Sequence, residues 1–427
     1  MLQTLRNAWK VEEIRKKILF TLLIVLLYRL GNAIPVPYVN VSLLQNYFDT
    51  VQNTVLGLLD VMSGGAFSTA TIFALSIQPY INASIIIQLL CIAIPALERL
   101  SKDEGEEGRK KIASITRYAT VGIGLLQGFG YYMLIKNNNF LVSYAQNNIW
   151  AAIVIILTFT SGSALIMWLG EQITEYGIGN GISMILFASI ISRLPTSVIT
   201  SIRNISTGSL EWWVALLVFL GALAIIILIV YVNDAERRVP VQYAKRVVGR
   251  KMYGGQSSIL PLKVCSVGVM PLIFAYSFMA FPSTLIQLFG GSESGLGLWW
   301  SRYMNYYSPL YMIVTALLII AFTYFYTSIS FQPDEMAKNI QQQGGVIPHV
   351  RPGKPTADFL ARTNNRLTLF AALFLAVLAT LPNLFTVGLQ TSVPFAASSL
   401  LIAVSVVLET KRQLDDLLVS RNYDTLT

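Results

Sequence analysis

Ten apolar segments, each close to the length that spans a membrane, constrain the fold of this 427-residue chain. A helix needs about 20 mostly apolar residues to cross the hydrocarbon core of a bilayer. Only 12% of the residues are charged, about half of the roughly 25% that is usual in soluble domains. The sequence therefore predicts an all-α, polytopic membrane protein with ten transmembrane helices. The segments lie at residues 18–34, 70–94, 112–134, 149–170, 179–194, 212–232, 264–288, 309–328, 367–386 and 393–409.

The basic residues indicate how the chain is oriented. All but five of the 31 lysines and arginines lie in the N-terminus, in residues 95–117, 233–263 and 329–366, and in the tail. Loops on the cytoplasmic side carry the excess of lysine and arginine. Both termini and the two large basic loops, 233–263 and 329–366, are therefore predicted to be cytoplasmic. The five exceptions are Arg29, Lys136, Arg193, Arg203 and Arg302.

Ten spans with both ends on one side divide into two five-helix halves of opposite orientation. We expect residues 18–206 and 207–409 to form these halves, with the linker Thr207–Glu211 as the hinge. Residues 1–17 are predicted to be an amphipathic helix on the membrane surface, and residues 410–427 a cytoplasmic tail. The halves share no recognisable sequence repeat, so the symmetry follows from topology alone. Inverted repeats commonly place their functional pathway between the halves.

The spans contain almost no ionisable residues. Asp60, Glu171 and Glu175 lie at or beyond segment ends, and Arg29 lies near the outer end of the first span. Ion-coupled transporters and proton pumps normally keep such groups in the membrane interior. No catalytic, nucleotide-binding or metal-binding motif is present, so we expect neither enzyme activity nor a cofactor or metal. A pore or a scaffold that receives another protein is favoured, and a secondary transporter of a small solute is the alternative.

The stretch from Leu58 to Leu90 differs from a simple spanning helix. A short amphipathic turn is followed by a break at Ser63-Gly64-Gly65, after which a long apolar helix with a polar stripe is predicted. Irregular backbone at membrane depth is tolerated only where protein or a water-filled cavity satisfies its polar groups. This predicts a wall helix with a short movable segment in front of it. An external loop followed by an ordinary spanning helix is the alternative.

The two large basic loops favour a protein partner on the cytoplasmic side. The positive-inside bias explains their charge, but it does not explain their length or the aromatic Tyr243 and Tyr253 among the arginines. Basic loops of this size are suited to an acidic motor protein or to the phosphates of ribosomal RNA.

Four long motifs are distinctive: MSGGAFSTATIFALSIQPYINASIIIQLL (62–90), WLGEQITEYGIGNGIS (168–183), VQYAKRVVGRKMYGGQSSILPLK (241–263) and GGVIPHVRPGKPTADFL (344–360). They resemble the SecY/Sec61-alpha family of protein-conducting channels. They occur in the right order across the ten spans, so the resemblance covers essentially the whole chain. It implies a channel that passes unfolded secretory preproteins across the bacterial plasma (inner) membrane and releases transmembrane segments laterally into the bilayer.

The resemblance also implies partners: the SecE and SecG subunits, the SecA ATPase, the ribosome, signal peptides with unfolded preproteins, and the lipid bilayer. The face that meets the motor or the ribosome would include Tyr243, Lys245, Arg246, Arg250 and Arg351. A lipid-phosphate contact is the alternative for Arg351.

Three further groups of residues receive roles only through the resemblance. An aliphatic ring would close the pore, since apolar side chains cannot replace the hydration shell of an ion; taken singly, each ring residue also fits ordinary core packing. The ring comprises Ile81, Ile85, Ile182, Leu186, Met270, Ile273 and Ile402. A plug at 58–67 would close the outer funnel through Leu58, Asp60, Met62, Ser63, Gly64, Gly65 and Phe67. A lateral gate would open between spans two and three on one side and seven and eight on the other, with Gln88 and Ser277 as polar contacts.

Overall fold

The computed structural model describes residues 6, 8–50, 55–102, 105–146, 148–207, 211–243, 246–248, 251–253, 257–266, 268, 270–288, 295–304, 308–389 and 397–424. The fold is mostly helical, at 79%. The helices before residue 207 are α1 (Glu12–Gly31), α2 (Val41–Thr50), α3 (Val55–Met62), α4 (Gln78–Ala93), α5 (Pro95–Lys102), α6 (Gly105–Asn137), α7 (Ile149–Tyr176) and α8 (Gly181–Ser206).

The later part of the chain contains seven helices and five strands among its described residues. In chain order these are α9 (Trp212–Asp234), β1 (Glu236–Tyr243), β2 (Arg246–Val248), β3 (Lys251–Tyr253), β4 (Ser257–Lys263), α10 (Met270–Leu288), α11 (Gly295–Tyr303), α12 (Pro309–Ser330), α13 (Pro333–Gln342), β5 (Gly345–Val346), α14 (Lys354–Leu389) and α15 (Ala397–Asp424).

Each of the ten predicted apolar segments overlaps one of these helices. Within the described residues, five helical stretches are long and apolar enough to cross a membrane by themselves: Ile149–Tyr176, Gly181–Thr200, Trp212–Asp234, Pro309–Gln342 and Lys354–Leu381. Two shorter apolar helices are Gln78–Ala93 and Met270–Pro282. Helix α6 is less apolar because its buried face contains small and polar residues such as Thr116, Gly124 and Gln127.

Small residues let α6 and α7 approach each other closely. A Cβ atom added at Gly124 would lie 3.1 Å from the hydroxyl of Ser163, and one added at Gly128 would lie 3.3 Å from the carbonyl oxygen of Ile156. Glycine, serine and threonine are the residues that membrane helices use for such close packing. The low hydropathy of α6 therefore reflects its position between other helices.

The prediction that a long wall helix resumes directly after Ser63-Gly64-Gly65 is wrong. Residues 63–77 form a series of turns, and α4 begins only at Gln78. Ala70 and Ser76 have positive φ angles of 44° and 50°, which an α-helix does not allow. The segment is instead held by an isolated bridge between Pro35 and Thr71, with Pro79 in the first turn of α4.

The two large basic loops contain a small β-sheet, which corrects the all-α prediction. Strand β1 pairs antiparallel with β4 over seven positions and with β5 at Gln242 and Tyr243, so the order is β4-β1-β5. Strands β2 and β3 form a separate pair. Buried residues of both loops pack in one cluster, including Val239, Val241 and Leu262 from the first loop and Ile340 and Ile347 from the second. We refer to this assembly of β1, β4, β5 and α13 as the loop module.

The last helix runs on to Asp424, beyond the predicted boundary at residue 410. The part of this helix beyond residue 410 is tied to other helices through side chains. Gln413 accepts a hydrogen bond from the Gly179 N–H at 2.8 Å, and Arg412 forms an ion pair with Asp234 at 2.9 Å. The start of α8 and the end of α9 are thus anchored to α15.

Candidate functional site

All seven predicted ring residues lie in one hydrophobic cluster, although they come from four helices spread across the chain. The exposed fractions of Ile81, Ile85, Leu186, Ile273 and Ile402 are 5% or less. Ile182 and Met270 are half-buried and pack against the same cluster. The structure therefore places these residues of α4, α8, α10 and α15 in one hydrophobic cluster, which also includes buried residues of α1, α7, α12 and α14.

The environment of the ring residues is apolar. A narrow passage lined by branched aliphatic side chains excludes ions because it offers no group to replace their water. Such a lining also gives a moving polypeptide no polar group to bind. The chemistry of this cluster is therefore suited to a seal, and its role as the pore ring stays a prediction.

The predicted plug lies directly against this cluster. Met62, at the end of α3, is buried and belongs to the same hydrophobic group as the ring residues. Gln78, at the start of α4, donates a long hydrogen bond of 3.6 Å to the Met62 sulfur. Leu58 lies in the same helix, but its side chain is outside the described residues.

The glycines after Met62 allow a tight turn against helix α8. Gly64 and Gly65 have φ angles of 70° and 91°, which L side chains rarely adopt. A Cβ atom at Gly64 would also lie 3.0 Å from the backbone of Ser189 on α8. Ser63 stabilises the turn, because its hydroxyl donates to the Asp60 carbonyl at 3.0 Å and accepts from the Phe67 N–H at 3.1 Å.

Polar side chains of α1 and α8 hold the predicted plug in place. The sequence analysis did not identify them. Arg193 on α8 forms an ion pair with Asp60, which is only 8% exposed. Tyr28 on α1 shares a 2.6 Å hydrogen bond with Ser189 and donates to the Ser63 carbonyl at 3.4 Å. The one signal in the sequence was that Arg193 lies outside the basic regions.

The far end of the plug rests in an aromatic cluster. The Phe67 ring stacks on Tyr131 of α6 at a centroid distance of 4.2 Å, and Phe48 of α2 contacts its edge at 5.4 Å. The Tyr131 hydroxyl also donates a hydrogen bond to the Phe67 carbonyl. The plug is thus bound to α1, α6 and α8 as well as to the ring.

The predicted gate residues are Gln88 and Ser277. Helix α4 faces α10 and α12 along a seam, and each of these two residues forms a hydrogen bond across it. Gln88 accepts a 2.5 Å hydrogen bond from the hydroxyl of Tyr326 on α12. Ser277 on α10 donates to the Gln78 amide oxygen at 3.3 Å. Tyr326 and Gln78 were not among the predicted gate residues. A sequence pattern indicates which residues share one face of a helix. It does not indicate which residues of two helices far apart in the chain lie opposite each other.

A small cavity lies between the predicted plug and helices α4, α6 and α10. Leu59, Ser76, Asn82, Gln127 and Phe281 are among the residues that line it. Its volume is about 40 Å³, which leaves room for a few water molecules and not for a polypeptide. The two hydrogen bonds described above join the facing helices of the seam.

Two of the five predicted docking residues, Tyr243 and Arg351, have described side chains. Tyr243 is half-buried in β1, where its hydroxyl donates to Gln343 at 3.5 Å, and Arg351 is exposed just before α14. The backbone of Arg246 lies in β2, but its side chain is outside the described residues, as are Lys245 and Arg250 entirely. The structure thus places Tyr243 in the loop module and Arg351 beside it, next to Val350, which packs against the module's hydrophobic cluster.

Comparisons with known proteins agree with this geometry. The family model described as SecY matches residues 71–411. The chain is 44% identical to the protein translocase subunit SecY of Halalkalibacterium halodurans over 432 residues, and 41% identical to that of Streptomyces scabiei over 439 residues. Each alignment covers 99% of both chains.

Solved structures show the same fold. A structure described as that of a protein-conducting channel has a TM-score of 0.69 and 18% identity, and the match covers 94% of this chain and 91% of the other. A second structure, from work on how the SecY plug domain stabilises the closed state of the translocation channel, has a TM-score of 0.66, 18% identity and the same coverage. These relatives favour a channel and give no support to the solute-transporter alternative.

Proposed function

Because the chain belongs to the SecY family, and is therefore a protein translocase subunit with a channel function, we propose the path that its substrates take. Unfolded preproteins pass between two inverted five-helix halves, residues 18–206 and 207–409, through the ring of seven aliphatic side chains. The halves together contribute ten spans. The protein itself performs no chemistry on the substrate.

One observation supports this path above the others. Ring residues from α4 and α8 in the first half and from α10 and α15 in the second converge in a single buried cluster, and Met62 of the plug packs on it. A cluster between two halves can open when the halves separate, whereas a core within one half cannot. The described state, with the plug seated, is the closed one.

The seam between α4 and the pair α10 and α12 is the proposed lateral exit. The bonds Tyr326–Gln88 and Ser277–Gln78 are few and directional, so separating the helices breaks little polar structure. A signal sequence can then partition from the seam into lipid by its own hydrophobicity, at about 25 cal/mol for each Å² of apolar surface buried.

The proposed location is the plasma membrane, with both termini and the loop module in the cytoplasm. The energy comes from partners: a SecA ATPase or a translating ribosome docks on the loop module, and SecE and SecG complete the complex. Sec61 in a canine ribosome-channel complex from the endoplasmic reticulum has a TM-score of 0.65 to this chain, which supports the comparison of folds. Arg351 and Tyr243 are the proposed docking residues.

The test is transport in proteoliposomes that contain the full chain with SecE and SecG. A preprotein is added with SecA, with or without ATP, and the vesicles are then treated with protease. We expect protected preprotein only when both SecA and ATP are present. Solute uptake without the motor, together with no protected preprotein, would overturn the proposal.

A further inference from the structure

Arg193 carries a positive charge that the channel function by itself does not require. It lies in α8, on one of the segments where basic residues are scarce. Its side chain is 32% exposed, and the carboxylate with which it pairs, Asp60, is 12% exposed. Removing charges from water to this extent is costly unless each charge has a partner, so the pairing is a built contact.

The guanidinium of Arg193 also covers the glycine turn of the plug. A Cβ atom added at Gly65 would lie 3.0 Å from the Cζ atom of Arg193, and φ at Gly65 is 91°. The chain therefore approaches the Arg193 guanidinium closely at Gly65, where the positive φ angle favours glycine. Arg193 contacts the turn in two ways, through the carboxylate of Asp60 and through the backbone at Gly65.

Asp60 connects this contact to the rest of the plug. One of its carboxylate oxygens accepts the Ser68 N–H at 2.7 Å, and its carbonyl accepts the Gly65 N–H at 2.9 Å. Asp60 thus holds the turn together from within while its other oxygen binds the wall. A pull on Asp60 is transmitted to the whole turn from residue 60 to residue 68.

We propose that Arg193 is a latch, a positioning residue that sets how often the plug leaves the ring. This inference rests on the proposed function of 58–67 as the plug. When the plug moves outward, the ion pair must separate, and both charges are then rehydrated in the widened funnel. The rehydration limits the cost, so the latch biases the closed state without making opening too rare for transport.

The test measures the resting ion conductance of vesicles that contain the full chain with its partner subunits. Arg193→Ala and Asp60→Asn should each raise the conductance by about 5- to 10-fold, which lies between the effects of surface and buried ion pairs. The double variant should be no leakier than either single variant, since both remove the same interaction. Arg203→Ala is the matched control, because Arg203 is an exposed arginine on the same helix.

Two further measurements separate a latch from a general structural role. The charge swap Asp60→Arg with Arg193→Asp should lower the conductance again toward wild type, which a loss of folding would not do. Raising the salt concentration from about 0.05 to about 0.5 M shortens the Debye length roughly threefold and also raises the conductance of any leak pathway, because more ions are present. The readout is therefore the ratio of Arg193→Ala to wild-type conductance at each salt concentration. This ratio should fall toward one at high salt, because salt screens the partly exposed ion pair that only the wild type retains.

An unchanged conductance in Arg193→Ala, or an equal rise in Arg203→Ala, would overturn the latch. If Arg193→Ala does not accumulate in the membrane, Arg193→Lys, which keeps the charge, serves in its place. The resting conductance of Arg193→Lys should lie between that of the wild type and that of Asp60→Asn. Any other ranking of these three conductances overturns the proposal. ATP-dependent protection of a preprotein is measured in the same wild-type vesicles. Loss of that protection refutes the proposed function, whereas normal protection with an unchanged leak refutes only the latch.

Discussion

The two hydrogen bonds across the proposed lateral exit should set how hydrophobic a signal sequence must be to open it. Gln88→Leu leaves the hydroxyl of Tyr326, a residue 9% exposed, without its 2.5 Å acceptor on the exposed residue Gln88. Ser277→Ala removes the donor of the weaker 3.3 Å bond to Gln78. Both changes keep the residue volume similar or smaller, so neither blocks closure of the seam.

The expected magnitude follows from the geometry. An unsatisfied buried hydroxyl costs about 1–3 kcal/mol, and a neutral hydrogen bond contributes about 0.5–1.5 kcal/mol. Together these ranges give about 1.5–4.5 kcal/mol. Because Gln88 is exposed and the Ser277–Gln78 bond is long, we expect a value near the lower end for the double variant: about 2 kcal/mol, or about 30-fold in the ratio of open to closed channels. Burying one leucine side chain is worth about 1.5–3 kcal/mol. The variant should thus accept a signal sequence with about one leucine fewer.

The assay is ATP-dependent protection of a preprotein from protease. The signal sequence of this preprotein is made less hydrophobic by one Leu→Ala change at a time. We expect the point of half-maximal protection to move by about one leucine in the Gln88→Leu, Ser277→Ala double variant. Ser84→Ala is the control, because the 3.2 Å bond from Gln88 to Ser84 lies within α4 and does not cross the seam.

Two results would refute the reasoning. The first is an unchanged threshold in the double variant, which would mean that these bonds do not hold the seam. The second is an equal shift of the threshold in Ser84→Ala. It would mean that the Gln88–Ser84 bond within α4, and not the bonds across the seam, sets the threshold.

Three further predictions concern the ring, the docking face and helix packing. Ile273→Gly should raise resting ion leak several-fold in planar bilayers, because it removes a fully buried side chain from the seal, whereas Phe278→Gly on the exposed face of the same helix should not; an equal leak from both would remove Ile273 from the ring. Arg351→Glu should impair SecA-driven transport and leave insertion of the channel into the membrane normal, and wild-type ATP-dependent transport would exclude a docking role. Gly162→Ala should cost about 1–3 kcal/mol and lower the midpoint of thermal unfolding in detergent, since its Cβ would lie 1.9 Å from a backbone oxygen; Gly221→Ala, which meets nothing within 4 Å, should not, and an equal change would contradict the packing argument.

The helical segments could be predicted because the signal is local. A run of apolar residues must form a helix in lipid to satisfy its own backbone, whatever surrounds it. All ten apolar segments accordingly overlap helices. The start of α4 was misplaced because residues 63–77 are rich in apolar side chains, as a spanning helix is. Contacts with distant residues hold them in turns instead, among them the bridge between Thr71 and Pro35 and the hydrogen bond from Tyr131 to the Phe67 carbonyl.

The sheet in the basic loops was missed for a related reason. Val239, Val241 and Leu262 alternate as strand residues do, but the cluster that buries them includes Ile340 and Ile347 from the other loop. A sequence pattern indicates that a side chain needs burial and does not indicate which distant segment supplies it. The charge and length of the two loops could be read from the sequence. The loop module that they form together could not.

By itself, the sequence determined that this chain enters a membrane, which of its segments are helical, and that its basic loops are concentrated in a few regions, because hydrophobicity and charge act on each segment separately. The tertiary structure alone decided which side chains meet: Arg193 with Asp60 across 133 residues, and Tyr326 with Gln88 across 238. Such pairs depend on how each helix is rotated and placed against its neighbours. That arrangement arises from the packing of all the helices together, which no local pattern contains.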